Sequence, residues 1–136
     1  MTQVVTPNLK NFLANVPLFK GAPERALEVA ASVVQPRNYE SETVIFQEGD
    51  KGEALYILTA GMVKLSKVDL GGYEKTLTIL QPPEFFGEMA LLGNTTRSAT
   101  AISLGNIQTY LLFADDFNKL IQTYPTVSLN LTTTMA

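Results

Sequence analysis

The residues with the clearest chemical pattern lie between Phe86 and Thr100, where a glycine, a carboxylate and an arginine follow in close succession. Gly87 has no Cβ, so its backbone can approach a ligand closely. If residues 88–92 form a helical turn, the unpaired N–H groups of that turn can receive an anion. Arg97 adds a permanently charged, two-pronged donor for a phosphate, and Ser98 adds a hydroxyl group. The pattern predicts an anion site.

Glu88 is the unexpected member of this group, because a carboxylate repels phosphate. An ionised carboxylate only accepts hydrogen bonds, so it can bind hydroxyl donors such as those of a ribose. An anion site with one added carboxylate therefore suggests a nucleotide or a sugar phosphate. Each residue taken alone has a simpler interpretation: Arg97 could form a surface ion pair, and Glu88 could favour a helix N-terminus.

The segments Phe86-Gly87-Glu88 and Arg97-Ser98-Ala99-Thr100 together resemble the phosphate-binding cassette of the cyclic nucleotide-binding domain family. Upstream, Glu48-Gly49-Asp50 and Gly61-Met62-Val63 resemble the glycine-marked early strands of that family, so the resemblance covers nearly the whole chain. The family includes bacterial regulators such as the catabolite activator protein, kinase regulatory subunits and gated channels. The chain resembles the N-terminal sensor domain of the bacterial transcription regulators.

This resemblance implies a role for each position of the predicted site. Glu88 would hold the ribose 2′-hydroxyl group, and Arg97 would pair with the exocyclic phosphate oxygens. The rest of the phosphate shell would come from Gly87, Met89, Ala90, Ser98 and Ala99. The sugar and the base would face Leu65, Leu77 and Thr78. A serine after the arginine resembles the bacterial activators, which favours cyclic AMP as the ligand and keeps cyclic GMP as the alternative.

Composition excludes several other functions. The 136 residues include no His and no Cys, so zinc sites, His- or Cys-ligated haem and Ser-His or Cys-His catalytic units cannot be built. A cupin-like enzyme, another jelly roll, usually needs His ligands for its metal and is therefore disfavoured. We expect no catalytic residues, no metal site and no cofactor. The expected function is binding and regulation, with no enzymatic activity.

Charge and hydropathy limit the partners and the location. The net charge of −3 argues against direct contact between these residues and nucleic acid, which needs an excess of Lys and Arg. No apolar run approaches the roughly 20 residues of a membrane span. The N-terminus lacks the layout of a signal peptide, so a cytoplasmic location is the default expectation.

The periodicity of apolar residues predicts the elements that position the site. Helical spacing marks residues 8–15 and a second helix that opens near Pro23, and it returns after Asp115. Residues 48–52 have the composition of a turn, and residues 85–93 suggest one helical turn. Strands are predicted at 43–46, 54–59, 62–68, 73–80, 97–104 and 107–113. This order predicts a mainly β fold, an antiparallel β-roll or jelly-roll barrel with helices at both ends.

We expect a single domain with three parts. These parts are N-terminal helices at 1–34, a β-roll at 35–113 that carries the cassette at 85–100, and C-terminal helices at 114–136. In the bacterial regulators the last helix is long and leads to a DNA-binding domain, so the resemblance implies a sensor half with a truncated final helix.

Most of the helix that forms the dimer interface in those regulators is absent here, so a monomer or a weak homodimer is expected. Val127, Leu131 and Met135 form an apolar stripe on this helix, which predicts packing against its own barrel or against a second subunit. An interaction domain of the same fold that has lost ligand binding stays open as an alternative.

Overall fold

The computed structural model describes residues 7–92 and 96–131, in which four α-helices flank a sheet. Helices α1 (Pro7–Ala14) and α2 (Glu24–Val33) precede the sheet, with a 3₁₀ turn at Pro17–Phe19 between them. Helices α3 (Ala114–Thr123) and α4 (Pro125–Leu131) follow it. The helices expected at both ends of the chain are therefore present.

The described part of the chain contains six strands, all joined by antiparallel pairing. They are β1 (Gln35–Tyr39), β2 (Val44–Phe46), β3 (Ala54–Val68), β4 (Glu74–Leu80), β5 (Phe85–Phe86) and β6 (Thr100–Phe113). The order across the sheet is β1-β6-β3-β4, with β2 paired to β6 and β5 paired to β3. This architecture confirms the predicted antiparallel roll.

The central strands are longer than predicted, because two glycines lie in bulges within strands. The segments 54–59 and 62–68 form the single strand β3, and 107–113 joins most of 97–104 in the single strand β6, which starts at Thr100. Gly61 and Gly105 have φ angles of +87° and +76°. They fall where the register between β3 and β6 shifts. A bulge needs the same backbone freedom as a turn, so sequence patterns do not distinguish the two.

Strand β1 was not predicted, and its composition explains why. Gln35 to Asn38 are exposed, so the strand shows no alternation between buried and exposed side chains. Pro36 is tolerated because β1 lies at the edge of the sheet. Strand β5 also falls in a segment predicted to be one helical turn. That turn is present three residues later, as a 3₁₀ helix at Glu88–Leu91.

Alternate side chains of β3 enter two separate cores. Leu55 and Ile57 pack with the helices, whereas Tyr56 and Leu58 face the interior of the roll. The helical core also contains Leu13, Phe19, Ala30, Leu112, Phe117, Leu120, Val127 and Leu131. The interior of the roll also contains Val63, Leu65, Leu80, Phe86, Ala101, Ile107 and Leu111.

The apolar stripe of α4 packs within its own chain. Val127 and Leu131 are buried in the helical core, and the Nδ2 group of Asn130 donates to the carbonyl oxygens of Leu18 and Lys20, at 2.8 and 2.9 Å. The core that buries Val127 and Leu131 also contains side chains of β3, β5 and β6. The third residue of the stripe, Met135, lies outside the described residues.

Candidate functional site

A cavity of about 430 Å³ opens between the β3–β4 hairpin and the segment that follows β5. This volume is within the range of small-molecule sites. The cavity is lined by Phe46, Leu65, Leu77, Thr78, Leu80, Glu84, Gly87, Met89, Ala90, Arg97, Ser98 and Ala99. Every site residue predicted from the sequence, except Glu88, lies in this lining.

The sequence did not indicate three of the lining residues, Phe46, Leu80 and Glu84. Phe46 and Leu80 end strands β2 and β4, and their apolar side chains read as ordinary core residues. The carboxylate of Glu84 accepts a hydrogen bond from the backbone N–H group of Gln81, 2.9 Å away. Glu84 therefore also caps the turn before β5. Because this turn has no regular spacing of apolar residues, the sequence did not indicate that Glu84 lines a site.

Arg97 is the centre of the polar wall, and it is held by both its side chain and its backbone. Its Nη1 and Nη2 groups donate to the carbonyl oxygens of Gly87 and Ala54, at 2.6 and 2.7 Å. Its backbone N–H group donates to the carbonyl oxygen of Asp50, and its own carbonyl oxygen accepts from the backbone N–H group of Gly49, at 2.6 and 2.8 Å. These bonds fix the guanidinium group before any ligand arrives.

The surroundings of Arg97 stabilise its charge without a direct ion pair among the described residues. Arg97 is 4% exposed, and no carboxylate of the described residues forms an ion pair with it. Its Cζ atom lies 4.1 Å from the centre of the Phe46 ring, which makes a favourable cation–π contact. Among the described residues its Nε group has no hydrogen-bond acceptor. The interpretation of Arg97 as a surface ion pair is therefore wrong.

Burial lowers the pKa of Arg97, because desolvation disfavours the charged form. The nearby Tyr56, Asp50, Glu88 and Glu53 act in the opposite direction and partly offset this effect. An arginine remains protonated even so. The cavity wall thus contains a buried cation with an unused donor, and such a group is stabilised by an anion.

Gly87 is required by its backbone conformation and by its contact with Arg97. Its φ and ψ angles are +86° and +8°, in the left-handed region, immediately before the 3₁₀ helix Glu88–Leu91. A Cβ atom on Gly87 would lie 2.7 Å from Nη1 of Arg97. The sequence predicted close approach to a ligand at this position, and the structure adds close approach to the arginine that lines the cavity.

Glu88 lies behind the cavity wall. Its side chain is fully buried and is not part of the cavity lining. Its charge nevertheless acts on the site, because it favours the protonated form of Arg97. The contact between Glu88 and a ribose hydroxyl group stays a prediction.

The β3–β4 hairpin supplies the apolar wall opposite Arg97. Leu65 pairs with Thr78, and the register shifts between Leu65 and Ser66, so that Leu77 falls within the irregularity. The bulge explains how the successive residues Leu77 and Thr78 both line the cavity. The cavity therefore has a cationic wall and an apolar wall, which suits a ligand with an anionic end and a flat, less polar end.

Tyr56 packs against Phe46, which lines the cavity, and its ionisation makes the free energy of unfolding depend on pH. Its ring stacks on Phe86, with centroids 5.1 Å apart, and it lies 5.6 Å from the ring of Phe46. Burial, helped by the neighbouring Tyr39, raises the pKa of Tyr56 from 10.0 to about 12. The folded state therefore holds this proton more tightly than the unfolded state does.

Stability should fall at high pH because of this tyrosine. A raised pKa gives its full stabilisation below the unfolded pKa of 10.0 and loses it as pH rises through about 12. From about pH 9.5 to about pH 11.5 we expect Tyr56 to account for a loss of about 2 kcal/mol in the free energy of unfolding. Urea denaturation across this range measures the loss. The Tyr56→Phe variant should lose about 2 kcal/mol less than the wild type, and equal losses would contradict the assignment.

Two further findings concern membrane-spanning helices and metal-binding clusters. Among the helices of the described residues, none combines the length and the apolarity needed to cross a membrane. Within residues 7–92 and 96–131 no cluster of three or more acidic side chains is placed to hold a metal ion.

Comparison with known proteins identifies the family. The family model for the cyclic nucleotide-binding domain matches residues 36–124. The cyclic AMP receptor protein of Thermus thermophilus is 41% identical over 120 residues, which cover 88% of this chain and 56% of that protein. The cGMP-dependent protein kinase egl-4 of Caenorhabditis elegans is 32% identical over 115 residues, which cover 83% of this chain and 15% of the kinase.

A solved structure gives the same result. The regulatory domain of Toxoplasma gondii PKA, crystallised with cAMP, matches with a TM-score of 0.78 and 34% identity, over 82% of this chain and 42% of that one. The chain thus spans about half the length of its bacterial relative and less of the two kinase proteins. The match of the family model over most of the chain confirms the resemblance read from the cassette: this chain belongs to the cyclic nucleotide-binding domain family.

Proposed function

We propose that this chain binds cyclic AMP in the cavity beside Arg97 and acts as the sensor part of a bacterial transcription regulator. The observation that carries the proposal is the buried, preorganised guanidinium group of Arg97, which has no ion-pair partner among the described residues and lines a cavity of about 430 Å³. A cyclic phosphate has one negative charge. Its binding would neutralise this buried cation.

The remaining lining residues fit the other parts of a cyclic nucleotide. Gly87, Met89, Ala90, Ser98 and Ala99 surround Arg97 and would complete the phosphate shell. Leu65, Leu77 and Thr78 offer an apolar surface for the sugar and the base. Glu88 would accept a hydrogen bond from the ribose 2′-hydroxyl group, which requires its side chain to reach the ligand from behind the wall.

The choice of cyclic AMP over cyclic GMP rests on two observations. Ser98 follows the arginine and lines the cavity, as the resemblance to the bacterial activators implies. A relative with 41% identity is named a cyclic AMP receptor protein. Cyclic GMP is the competing ligand, because a relative with 32% identity is a cGMP-dependent kinase.

The conformational response to the ligand would be transmitted from the cavity to the rest of the protein through α3 and α4. The backbone N–H group of Ala114, the first residue of α3, donates to the carbonyl oxygen of Glu53, 2.9 Å away. The next carbonyl along the chain, that of Ala54, accepts from Arg97. A ligand bound to Arg97 would therefore act within one residue of the contact that holds α3, and so shift a two-state equilibrium.

Because the chain is acidic, DNA contact, where the full protein makes it, would come from a segment or partner other than these residues. As given, the chain would be a monomer or a weak homodimer.

Thermal denaturation with added ligand tests the proposal. Cyclic AMP at about 100 times its dissociation constant should add about 2.7 kcal/mol to the free energy of unfolding. For a domain of this size the melting temperature should rise on the order of 10 °C. Adenosine, which lacks the phosphate, is the matched control and should produce little shift.

Calorimetric titration with both cyclic nucleotides then separates the alternatives. Tighter binding of cyclic GMP would overturn the choice of base but not the function. The absence of any shift with either nucleotide would contradict ligand binding and favour an interaction domain of the same fold.

A further inference from the structure

Gly52 lies where three parts of the candidate site meet. The residue before it, Lys51, forms an isolated antiparallel bridge with Thr96. Two residues after it, the carbonyl oxygen of Ala54 accepts from Arg97. The bare Cα of Gly52 faces Ala90, in the 3₁₀ helix of the cassette, and the guanidinium group of Arg97.

A side chain at Gly52 would have no room. An added Cβ atom would overlap the Cβ atom of Ala90, and it would lie 3.2 and 3.3 Å from Cζ and Nε of Arg97. Its φ angle is not in the left-handed region, in contrast to Gly49 and Gly87. The backbone of Gly52 is therefore accessible to any residue, and the requirement for glycine comes from packing.

We infer that Gly52 is a positioning residue for the phosphate site, because the contact between residues 52 and 90 has room for only one methyl group. Ala90 supplies that methyl group from the cassette side. A second methyl group would push the 3₁₀ helix away from the 49–54 segment and displace Arg97 from the carbonyl oxygens that fix it. Overpacking of this kind is relieved by shifts of backbone and side chains. The inference rests on the proposed function, in which Arg97 binds phosphate.

Exchanging the methyl group between the two positions tests the inference. The Gly52→Ala variant should bind cyclic AMP about tenfold or more weakly than the wild type. The double variant Gly52→Ala/Ala90→Gly keeps one methyl group in the contact, so it should bind at least about threefold more tightly than Gly52→Ala. Ala90→Gly alone completes the double-mutant cycle, which is measured by isothermal titration calorimetry.

Gly61→Ala is the matched control for a structural glycine. A Cβ atom on Gly61 would lie 2.6 Å from the carbonyl oxygen of Asn106, and Gly61 does not line the cavity. This variant should have a lower melting temperature but the affinity of the wild type, when binding is measured well below the melting transition. A loss of affinity in Gly52→Ala but not in Gly61→Ala would therefore show that lower stability alone does not weaken binding.

A ligand-free measurement separates this inference from the proposed function. The chain has three arginines, Arg25, Arg37 and Arg97, so the Nε–H resonances of their side chains can be assigned by NMR. Gly52→Ala should shift the Arg97 resonance, and the double variant should return it towards the wild-type position. If the wild type binds neither cyclic nucleotide, the proposed function fails, while the Arg97 resonance still tests the positioning role.

Three outcomes would overturn the inference. The first is wild-type affinity and an unshifted Arg97 resonance in Gly52→Ala. The second is a double variant that binds as weakly as Gly52→Ala. If Gly52→Ala does not fold, the double variant decides: a folded double variant that binds supports the shared methyl contact, and an unfolded one contradicts it.

Discussion

Replacing Arg97 with alanine should weaken the binding of cyclic AMP by at least about 100-fold while the sheet stays folded. Each hydrogen bond to a charged group contributes about 1.5–3 kcal/mol, and the phosphate would lose the only cation among the described residues that line the cavity. In the absence of ligand two effects on stability oppose each other. The carbonyl oxygens of Gly87 and Ala54 lose their donor, but a desolvated charge is also removed. Calorimetric titration measures the affinity, and circular dichroism checks the fold.

Two variants control this experiment. Arg25→Ala removes an arginine whose side chain is 75% exposed and, among the residues that the structure describes, pairs with Glu28 alone. The affinity of this variant for cyclic AMP should match that of the wild type. Arg97→Lys keeps the charge but loses the planar, two-pronged geometry, and it should fall between the wild type and Arg97→Ala. Wild-type affinity in Arg97→Ala would place the ligand elsewhere.

Replacing Gly87 with alanine should also abolish most of the binding, for a different reason. A left-handed backbone costs a non-glycine residue about 1–2 kcal/mol. At this position the added Cβ atom would also lie 2.7 Å from Nη1 of Arg97 and within 3.5 Å of the Phe46 ring. The arginine must therefore move, and we expect an affinity loss of roughly tenfold to 100-fold.

Gly72→Ala separates the backbone effect from the contact. Gly72 has a φ angle of +85°, close to the +86° of Gly87, but an added Cβ atom would meet nothing within 4 Å. Both variants should lose stability in urea denaturation, and only Gly87→Ala should lose affinity. A similar loss of affinity in both would mean that strain alone, without displacement of Arg97, explains the effect.

The sequence predicted the fold class and the cassette residues that line the cavity because both depend on local patterns. The change from helical to alternating spacing and back again located the helices at both ends and most of the strands. The cassette residues gather around one cavity because they are close in the chain, from Gly87 to Ala99. Leu65, Leu77 and Thr78 could be added only through the family resemblance, since they lie on a hairpin far away in the sequence.

The parts that could not be predicted depend on tertiary contacts. Burial of Arg97 against Phe46, and the bonds to Ala54 and Asp50, join segments more than 40 residues apart, as in the bond from Nη2 to Ala54. Gly52 had turn composition on both sides, so nothing local distinguished a packing contact from a turn. Gly61 and Gly105 read as strand ends, although the two long strands continue through them.

The way β3 divides its side chains between two cores has a consequence for cooperativity. A single backbone forms the wall of the helical core through Leu55 and Ile57 and the wall of the roll through Tyr56 and Leu58. Melting of either core would remove a wall of the other, so we expect the domain to unfold as one unit. Free energy contributed by a ligand in the roll therefore also stabilises the layer that contains Val127 and Leu131. A ligand in the cavity would therefore raise the free energy of the global unfolding in which α4 also melts, even where no atom of α4 touches the ligand.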